Sequence, residues 1–192
     1  METLQFFLVS AAVFALILGL AVLAERHLCK DRKQFSNTHY ISYTAIFSAI
    51  SGVLMLMEIP LFFAPGFYKL DISEMPVLIC TFYLGPVAGA ATELLKVIVK
   101  LLLKGTTTAY VGDFANFVVG CSFILPASII YHARPGKKTA LVGMGVGTLV
   151  LTVFGSLFNG FYLIPKFAVL FGMPMDAIVA MGTKVNAAIT DV

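Results

Sequence analysis

Long apolar runs are the sequence feature that most limits the folds open to this chain. The first run covers residues 4–24 and is interrupted only by Gln5 and Ser10. A helix of that length, at about 1.5 Å per residue, crosses the roughly 30 Å hydrocarbon core of a bilayer. Comparable runs follow at 40–57, 86–103, 114–132 and 139–163. Because backbone polar groups inside a bilayer must bond to one another, we predict an all-α polytopic bundle of transmembrane helices.

The composition agrees with a membrane protein and argues against two other classes. Hydrophobic residues make up 59% of the 192 residues and charged residues 12%, whereas soluble domains are nearer half apolar and a quarter charged. The basic residues cluster at 26–33 and 134–138 without interleaved aromatic residues, so we predict no nucleic acid partner. The three cysteines lie far apart and lack metal-ligand spacing, so we predict no metal site.

Catalytic signatures would change the class of protein, and the sequence contains none of the common ones. G-x-x-x-x-G-K-[ST], H-E-x-x-H and G-x-S-x-G are all missing, and Gly136-Lys137-Lys138-Thr139 lacks the upstream glycine of a phosphate-binding loop. We therefore predict a binding or transport protein that is not an enzyme and has no cofactor.

The first apolar run has two interpretations, a cleavable signal peptide or a retained helix. Gly19-Leu20-Ala21 resembles a small-x-small cleavage site. However, the preceding residues carry Glu2 instead of a basic residue, and the run is long for a signal peptide. We predict a retained transmembrane helix, so that residues 1–33 comprise this helix and a basic linker, and residues 34–192 form the main membrane domain.

Two polar segments interrupt the apolar runs, at 67–74 (F-Y-K-L-D-I-S-E) and 104–113 (K-G-T-T-T-A-Y-V-G-D). The loops at 25–39 and 132–138 contain four and three Lys or Arg residues, against one in each loop on the opposite side. The positive-inside rule then predicts that the basic loops are cytoplasmic. The N-terminus and both polar segments would lie outside, where the segments could form the mouth of a binding site.

Small residues form a stripe on the predicted helix 40–57. At helical spacing they comprise Ala45, Ser48, Ala49 and Gly52. Gly143-x-x-x-Gly147 has similar spacing further along the chain. Such patterns permit the close approach of another helix, either inside the chain or in a partner subunit.

A short apolar stretch, residues 75–84, contains too few residues to cross a bilayer. Gly85-Pro86 separates it from the run that follows. We predict a short helix that packs inside the protein.

Ionisable residues within apolar runs are costly, so they usually face a bundle interior. Glu93 and Lys96 are three residues apart, and Lys100 follows four residues later. We predict an internal Glu93–Lys96 pair with Lys100 snorkelling to the outer surface, and direct substrate contact is the alternative. Asp71 and Glu74 precede Pro76 and are predicted to cap the short helix, which would also make an ordered lid over a pocket.

Amide and hydroxyl side chains near the apolar runs are candidate ligand contacts. Asn116, Asn159 and Asn186 would serve either as bonds between helices or as ligand contacts. The segment 158–162 (F-N-G-F-Y) suits a flat ligand with polar edges, although aromatic packing alone would give the same pattern. Thr106 to Thr108 place three hydroxyls beside Tyr110.

An ordered series of these motifs resembles the substrate-binding S components of energy-coupling factor (ECF) vitamin transporters, most closely the riboflavin-specific branch. The resemblance covers roughly residues 40–192. It rests on E-I-P at 58–60, F-Y-K-L-D-I-S-E-M-P at 67–76, G-P-V-A-G at 85–89, E-L-L-K at 93–96, K-G-T-T-T-A-Y-V-G-D-F-A-N-F at 104–117 and F-N at 158–159.

The resemblance implies a six-helix core with no enzymatic activity, preceded here by one extra transmembrane helix. It implies that riboflavin binds near the outer face, beneath the loop at 62–74, in the plasma membrane of a bacterium. It also implies partnership with a transmembrane T component and two ATP-binding-cassette ATPases, in addition to membrane lipid.

Residue roles carried over from the resemblance complete the site prediction. An A-x-x-x-A contact with the T component corresponds to Ala45 and Ala49. The predicted substrate contacts are Phe67, Tyr68, Lys69, Leu70, Asp71, Thr107, Thr108, Asn116, Asn159, Tyr162 and Asn186. We expect the final helix to be cut short, because Ala177 to Val192 is only 16 residues long. In the riboflavin branch the remainder of that helix supplies an Asn and a Lys to the ligand.

Two alternatives to riboflavin capture stay open from the sequence. One is an S component for another vitamin or flavin with a flat ring, such as FMN or a roseoflavin-like compound. The other is a membrane structural or regulatory subunit that carries no small molecule.

Overall fold

The computed structural model describes residues 2–28, 37–57, 59–60, 69–106 and 110–166. Several predictions fall outside the described residues. They concern the substrate contacts Phe67, Tyr68, Thr107, Thr108 and Asn186, and the short final segment from Ala177.

Helices account for nearly all of the described residues. Their bounds are α1 Glu2–Leu28, α2 Asn37–Leu56, α3 Glu74–Leu84, α4 Pro86–Lys104, α5 Val111–Ala133 and α6 Lys137–Phe158. A π-helical stretch, Asn159–Leu163, continues α6, and the helical span as a whole runs to Lys166. The predicted all-α bundle is confirmed.

Two short antiparallel strands were not predicted. β1, Ile59–Pro60, pairs with β2, Lys69–Leu70, so that Ile59 lies opposite Leu70. The pairing brings the residue after α2 close to the residues before α3.

Four helices in the described ranges are long and apolar enough to cross a membrane. These spans are Ser10–His27, Asn37–Leu56, Val111–Ala133 and Lys137–Lys166. α3, with 11 residues, is shorter than a membrane span, as the sequence predicted. α4 has 19 residues, but it carries Glu93, Lys96 and Lys100 at buried positions. These three charges of α4 therefore lie inside the bundle instead of facing lipid.

Gly85 alone joins α3 to α4, as the Gly85-Pro86 pair predicted. Its φ of 115° lies in the region that favours glycine. Pro86 occupies the first turn of α4, where a missing N–H costs little. A Cβ added to Gly89 would lie only 2.2 Å from Thr81 Oγ1. Glycine at both positions lets α3 fold back closely along α4.

Glycines also permit close contact at two other helix pairs. A Cβ on Gly52 of α2 would lie 2.5 Å from Val99 Cγ1 of α4. A Cβ on Gly143 would lie 2.8 Å from the carbonyl oxygen of Ala127, and one on Gly147 would lie 2.6 Å from that of Phe123. The close approach predicted from Gly143-x-x-x-Gly147 is therefore confirmed, and its partner is α5.

α1 packs against α4 and α5. Ile17 and Ala21 are buried in the same core cluster as Phe117 of α5. The Phe14 ring stacks on the Phe117 ring with centroids 4.1 Å apart. The division at residue 33 stays a prediction, but this helix makes direct contact with the core of the main domain.

The bundle has two ends that differ in chemistry. At the basic-loop end, α1 finishes beside the start of α4, where Glu25 Oε2 accepts a hydrogen bond from the Val87 N–H at 3.0 Å. The loop at 134–136 lies at the same end, since the Phe82 ring of α3 is 4.7 Å from the Tyr131 ring. Since α3 and α5 end, and α4 begins, at the basic-loop end, the opposite end holds β2, the start of α3, the last turn of α4 and the first turn of α5, and we call it the strand end.

Candidate functional site

A tight turn at the strand end connects β2 to α3. Asp71 Oδ1 accepts a hydrogen bond from the Ser73 backbone N–H at 2.7 Å, and Asp71 Oδ2 accepts one from the Ser73 hydroxyl at 2.7 Å. Ser73 itself is fully buried. Asp71 therefore uses both carboxylate oxygens to hold the residue that precedes the helix, which is a local turn of the kind that Asp favours.

Glu74 does not cap α3, contrary to the sequence prediction. Its Oε1 lies 2.7 Å from Lys96 Nζ of α4. A carboxylate in the first turn can bond either to the helix amides or to a cation, and the buried ammonium is the stronger partner because the hydrogen bond is charge-assisted. Glu74 therefore links the start of α3 to the middle of α4.

Lys96 lies at the centre of a buried ionic cluster. Its Nζ is 2.6 Å from Glu93 Oε1, and the Lys96 and Glu93 side chains are both fully buried. The predicted pair at i and i+3 is therefore confirmed. The sequence did not reveal the second carboxylate, Glu74, because it lies 22 residues away from Lys96 along the chain.

Gly120 of α5 makes room for this cluster. A Cβ at position 120 would lie 2.2 Å from Glu93 Oε1 and 3.2 Å from Glu74 Oε1. The two carboxylates are thus packed directly against the backbone of α5. The cluster consequently joins α3, α4 and α5 at one point.

Lys100 does not snorkel outward, and that prediction is wrong. Its Nζ lies 2.5 Å from Asp113 Oδ1 in the first turn of α5, and both residues are buried. Because α4 and α5 are connected by a short segment, the last turn of one helix lies against the first turn of the next. Asp113 in that first turn is therefore a nearer partner for the Lys100 ammonium than water at the surface.

The three ion pairs leave acceptor capacity unused. Glu74 Oε2, Glu93 Oε2 and Asp113 Oδ2 are buried and have no hydrogen-bond partner among the described residues. With all groups ionised, these three carboxylates exceed the two lysine amines by one negative charge. Such oxygens can accept hydrogen bonds from hydroxyl or N–H donors, and a buried acceptor without a partner is costly.

Aromatic and amide side chains surround the strand end of α5 and α6. The rings of Phe158 and Tyr162 stack with centroids 5.1 Å apart. Both pack against Val111 and Ala115 in the first turns of α5. Asn116, half-buried, lies in the adjoining turn.

Asn159 begins the π-helical stretch of α6 and is half-buried. A π-helical turn adds one residue and rotates the following side chains, and such turns are frequent at functional sites. The structure therefore brings four predicted contacts, Asp71, Asn116, Asn159 and Tyr162, to one half of the bundle.

Residues 39–190 match the family model described as ECF transporter, substrate-specific component. The chain belongs to this family.

Relatives of this S component include curated transporters. The chain is 36% identical over 129 residues to the riboflavin transporter RibU of Staphylococcus aureus (strain TCH60), covering 67% of each chain. It is 31% identical over 146 residues to the riboflavin transporter FmnP of Bacillus subtilis (strain 168), covering 76% of this chain and 77% of the relative.

A solved structure resembles this chain in both fold and sequence. It is described as the S component of a bacterial ECF transporter, and its TM-score with this chain is 0.64 at 32% identity. The match covers 79% of this chain and 89% of the solved chain. With four spanning helices in the described ranges, this S component is a multi-pass membrane protein.

The small-residue stripe of this S component divides into two faces. Ser48 and Gly52 are buried, and Gly52 packs against α4. Ala45 and Ala49 are exposed on α2. The sequence could not separate them, because all four residues fall within one broad arc of the helix.

Of the remaining predicted contacts, Lys69 and Leu70 lie within the described residues. Lys69 and Leu70 form β2, where they pair with β1. Tyr110 has a φ of 69°, and its backbone N–H donates to Thr106 Oγ1 at 3.0 Å. Sequence reasoning missed Asp113 as part of the site, although an acidic residue in the first turn of α5, after a lysine-bearing turn of α4, was a usable signal.

Proposed function

We propose that this protein is the subunit that captures riboflavin for an ECF transporter. The observation that carries the proposal is the set of groups at the strand end. Stacked aromatic rings, half-buried amides and carboxylate oxygens with unused acceptor capacity lie in one half of the bundle. The names of the transporters to which the chain is similar support riboflavin as the cargo.

Riboflavin has the chemistry that these groups suit. Its isoalloxazine ring is flat and can stack on the faces of Phe158 and Tyr162, since aromatic pairs favour offset stacking. The polar edge of that ring can bond to the amides of Asn116 and Asn159. We assign the other contacts to residues around the same mouth: Phe67, Tyr68, Lys69, Leu70, Asp71, Thr107, Thr108 and Asn186.

The proposed orientation puts the strand end outside the cell. Loops 25–39 and 132–138 would then lie in the cytoplasm, in agreement with the excess of Lys and Arg in them. The N-terminus would lie outside. Ligand would therefore meet the strand end first, in the plasma membrane of a bacterium.

We assign the exposed face of α2 to the T component. Ala45 and Ala49 are exposed, and small residues let a second helix approach closely within a membrane. ATP hydrolysis would then occur in two partner ATPases, and this subunit would bind its ligand without catalysing a reaction. This division of labour is typical of the family to which the chain belongs.

Optical spectroscopy of the purified protein tests the proposed cargo. The protein, produced in cells supplied with riboflavin, should carry a flavin absorbance band at a ratio of about one per chain, and the apoprotein should quench added riboflavin fluorescence. The matched variant is Tyr162→Leu, which removes one stacking face and should weaken quenching by about tenfold, whereas Phe161→Leu, at an exposed neighbouring ring, should not change it.

Other results would reject or narrow the proposal. A colourless protein that quenches neither riboflavin nor FMN would exclude a flavin carrier and favour a structural or regulatory subunit. If the protein binds a different flat-ring vitamin tightly and does not bind flavin, it is still an S component, but its cargo is that vitamin.

A further inference from the structure

A cavity lies at the basic-loop end, away from the proposed riboflavin site. Its volume is about 410 Å³, and it lies between α3, α5 and the start of α6. Its lining residues are Phe82, Tyr131, Pro135, Gly136, Lys137 and Ala140. None of them belongs to the strand end, and the proposed function does not use them.

Lys137 lines this cavity, and two further basic residues lie close to it in the chain. Arg134, Lys137 and Lys138 are exposed. The sequence contains no Asp or Glu from 114 to 175. Within the part of the chain that the structure describes, none of the three cations forms an ion pair. The patch therefore attracts an anion from outside the protein.

The first turn of α6 adds to this attraction. Its N-cap residue, Gly136, provides no side-chain cap. The Thr139 hydroxyl donates to the carbonyl oxygens of Arg134 and Gly136, so it does not serve as an acceptor for the first amides. The N-terminus of a long helix carries partial positive charge and suits an anion.

The other walls of the cavity are apolar and lead toward the bilayer interior. The rings of Phe82 and Tyr131 lie 4.7 Å apart. One turn deeper, Ile79 of α3 is exposed and Met144 of α6 is half-buried. The spanning helix α5 ends beside the cavity and the spanning helix α6 begins there, so the cavity lies at the membrane surface.

We propose that this cavity binds the phosphodiester headgroup of an anionic phospholipid. Lys137 and its neighbours Arg134 and Lys138 would hold the phosphate, and the acyl chains would run along the apolar surface below. A free phosphate would use the cations but not the apolar surface, and an acidic protein segment would not need a cavity that continues into the bilayer. Basic pockets between helices at a membrane surface are suited to such lipids.

Native mass spectrometry of the detergent-purified full chain tests the proposal. The protein is titrated with phosphatidylglycerol and, separately, with phosphatidylcholine that has the same acyl chains. We expect phosphatidylglycerol to bind at least about fivefold more tightly than phosphatidylcholine. Each Lys or Arg near an anionic headgroup raises the binding constant by about fivefold.

Two variants locate the site, and a third serves as their control. Lys137→Gln should weaken phosphatidylglycerol binding about fivefold. Lys166→Gln removes the same charge from the far end of the same helical span and should leave the affinity unchanged. Ala140→Phe fills the cavity without altering any charge and should also weaken binding.

Each opposite outcome overturns the proposal. Equal losses in Lys137→Gln and Lys166→Gln would indicate diffuse attraction, and unchanged binding in Ala140→Phe would exclude the cavity. Competition by soluble glycerol 1-phosphate at the same concentration as lipid would indicate a free-phosphate site, and stronger competition by a polyglutamate peptide would indicate a protein partner. Helical circular dichroism of each variant checks its fold, and Ala140→Leu replaces Ala140→Phe if the latter does not fold.

Discussion

The two ends of this helical bundle treat charge in opposite ways. Toward the strand end, Lys96 and Lys100 are buried, and each lies within 2.7 Å of a carboxylate oxygen. At the basic-loop end, Lys137 and Lys138 are exposed, and no carboxylate within the described residues pairs with them. Both regions carry lysines on long helices, so residue type alone does not account for the difference.

The difference lies in access to water. A cation at the membrane surface is solvated, and it needs no internal partner. A cation deep in the bundle is stable only if a carboxylate offsets its desolvation, and the pair then depends strongly on both members. The strand-end charges should therefore be important for stability, whereas the basic-loop charges should matter mainly for contacts outside the chain.

The largest expected effect is at Lys96. Lys96→Met leaves Glu93 and Glu74 buried without their shared cation, which should lower the free energy of unfolding by about 3–5 kcal/mol. Lys137→Met should change it by less than about 0.5 kcal/mol, because that side chain is exposed. Denaturant unfolding in detergent, followed by circular dichroism, measures both. Equal effects would remove the distinction between the two ends.

The Lys100–Asp113 pair should show a somewhat smaller effect, because it lies nearer the surface. Asp113→Ala should destabilise the protein by about 2–3 kcal/mol, since it leaves the ammonium buried alone. The exchanged double variant, Lys100→Asp with Asp113→Lys, restores opposite charges and should recover part of this loss. If Asp113→Ala unfolds like the wild type, Lys100 reaches water and the snorkelling interpretation returns.

Gly120 tests how tightly the buried carboxylates pack against α5. Gly120→Ala should destabilise the protein by about 1–3 kcal/mol, because the new Cβ would meet Glu93 Oε1. Gly145→Ala is the control, since no atom lies within 4 Å of a Cβ at that position. That change should be neutral or stabilising, as alanine favours a helix more than glycine does. The same loss in both variants would contradict the packing argument.

Asp71 should contribute less to the free energy of unfolding than the buried charges and Gly120 do. Asp71→Ala removes the two hydrogen bonds to Ser73 and should cost about 1 kcal/mol. If the turn also orders the mouth of the site, the variant should bind riboflavin more weakly, with a faster dissociation rate in stopped-flow fluorescence. Unchanged stability would mean that the turn forms without its carboxylate.

The smallest effect on stability is expected at Ala49. Ala49→Leu adds bulk on an exposed face, so the free energy of unfolding should change by less than about 0.5 kcal/mol. Riboflavin binding should persist, while uptake by the assembled transporter should be lost. Isotope uptake in cells and fluorescence quenching in detergent separate the two. Lost binding would mean that this face packs within the chain.

Features of the site that arise within one helix could be predicted from the sequence. Glu93 and Lys96 lie three residues apart, so helical geometry alone brings them together. The reversal at Gly85-Pro86 likewise depends on local backbone preferences. Partners on different helices could not be predicted in this way. Glu74 and Asp113 contact their lysines only because of how α3, α4 and α5 are positioned along one another's axes in the bundle.

The exposed and buried members of the α2 stripe show the same limit. Their spacing placed Ala45, Ser48, Ala49 and Gly52 on neighbouring parts of one helix surface. Which part faces α4 depends on the rotation of α2, and that rotation is set by contacts such as the one between Gly52 and Val99. A periodic pattern in the sequence defines a helix face, but it does not show which other helix packs against that face.

The sequence by itself determined that this chain is a membrane bundle, because apolar runs of helical span length permit few other folds. It also determined the short α3 and the pairing within α4. Only the tertiary structure decided that Glu74 shares Lys96 with Glu93 and that Lys100 turns inward to Asp113. The physical reason is that a buried charge takes whichever counter-charge the packing places within a few ångströms, and packing joins residues that are far apart in the chain.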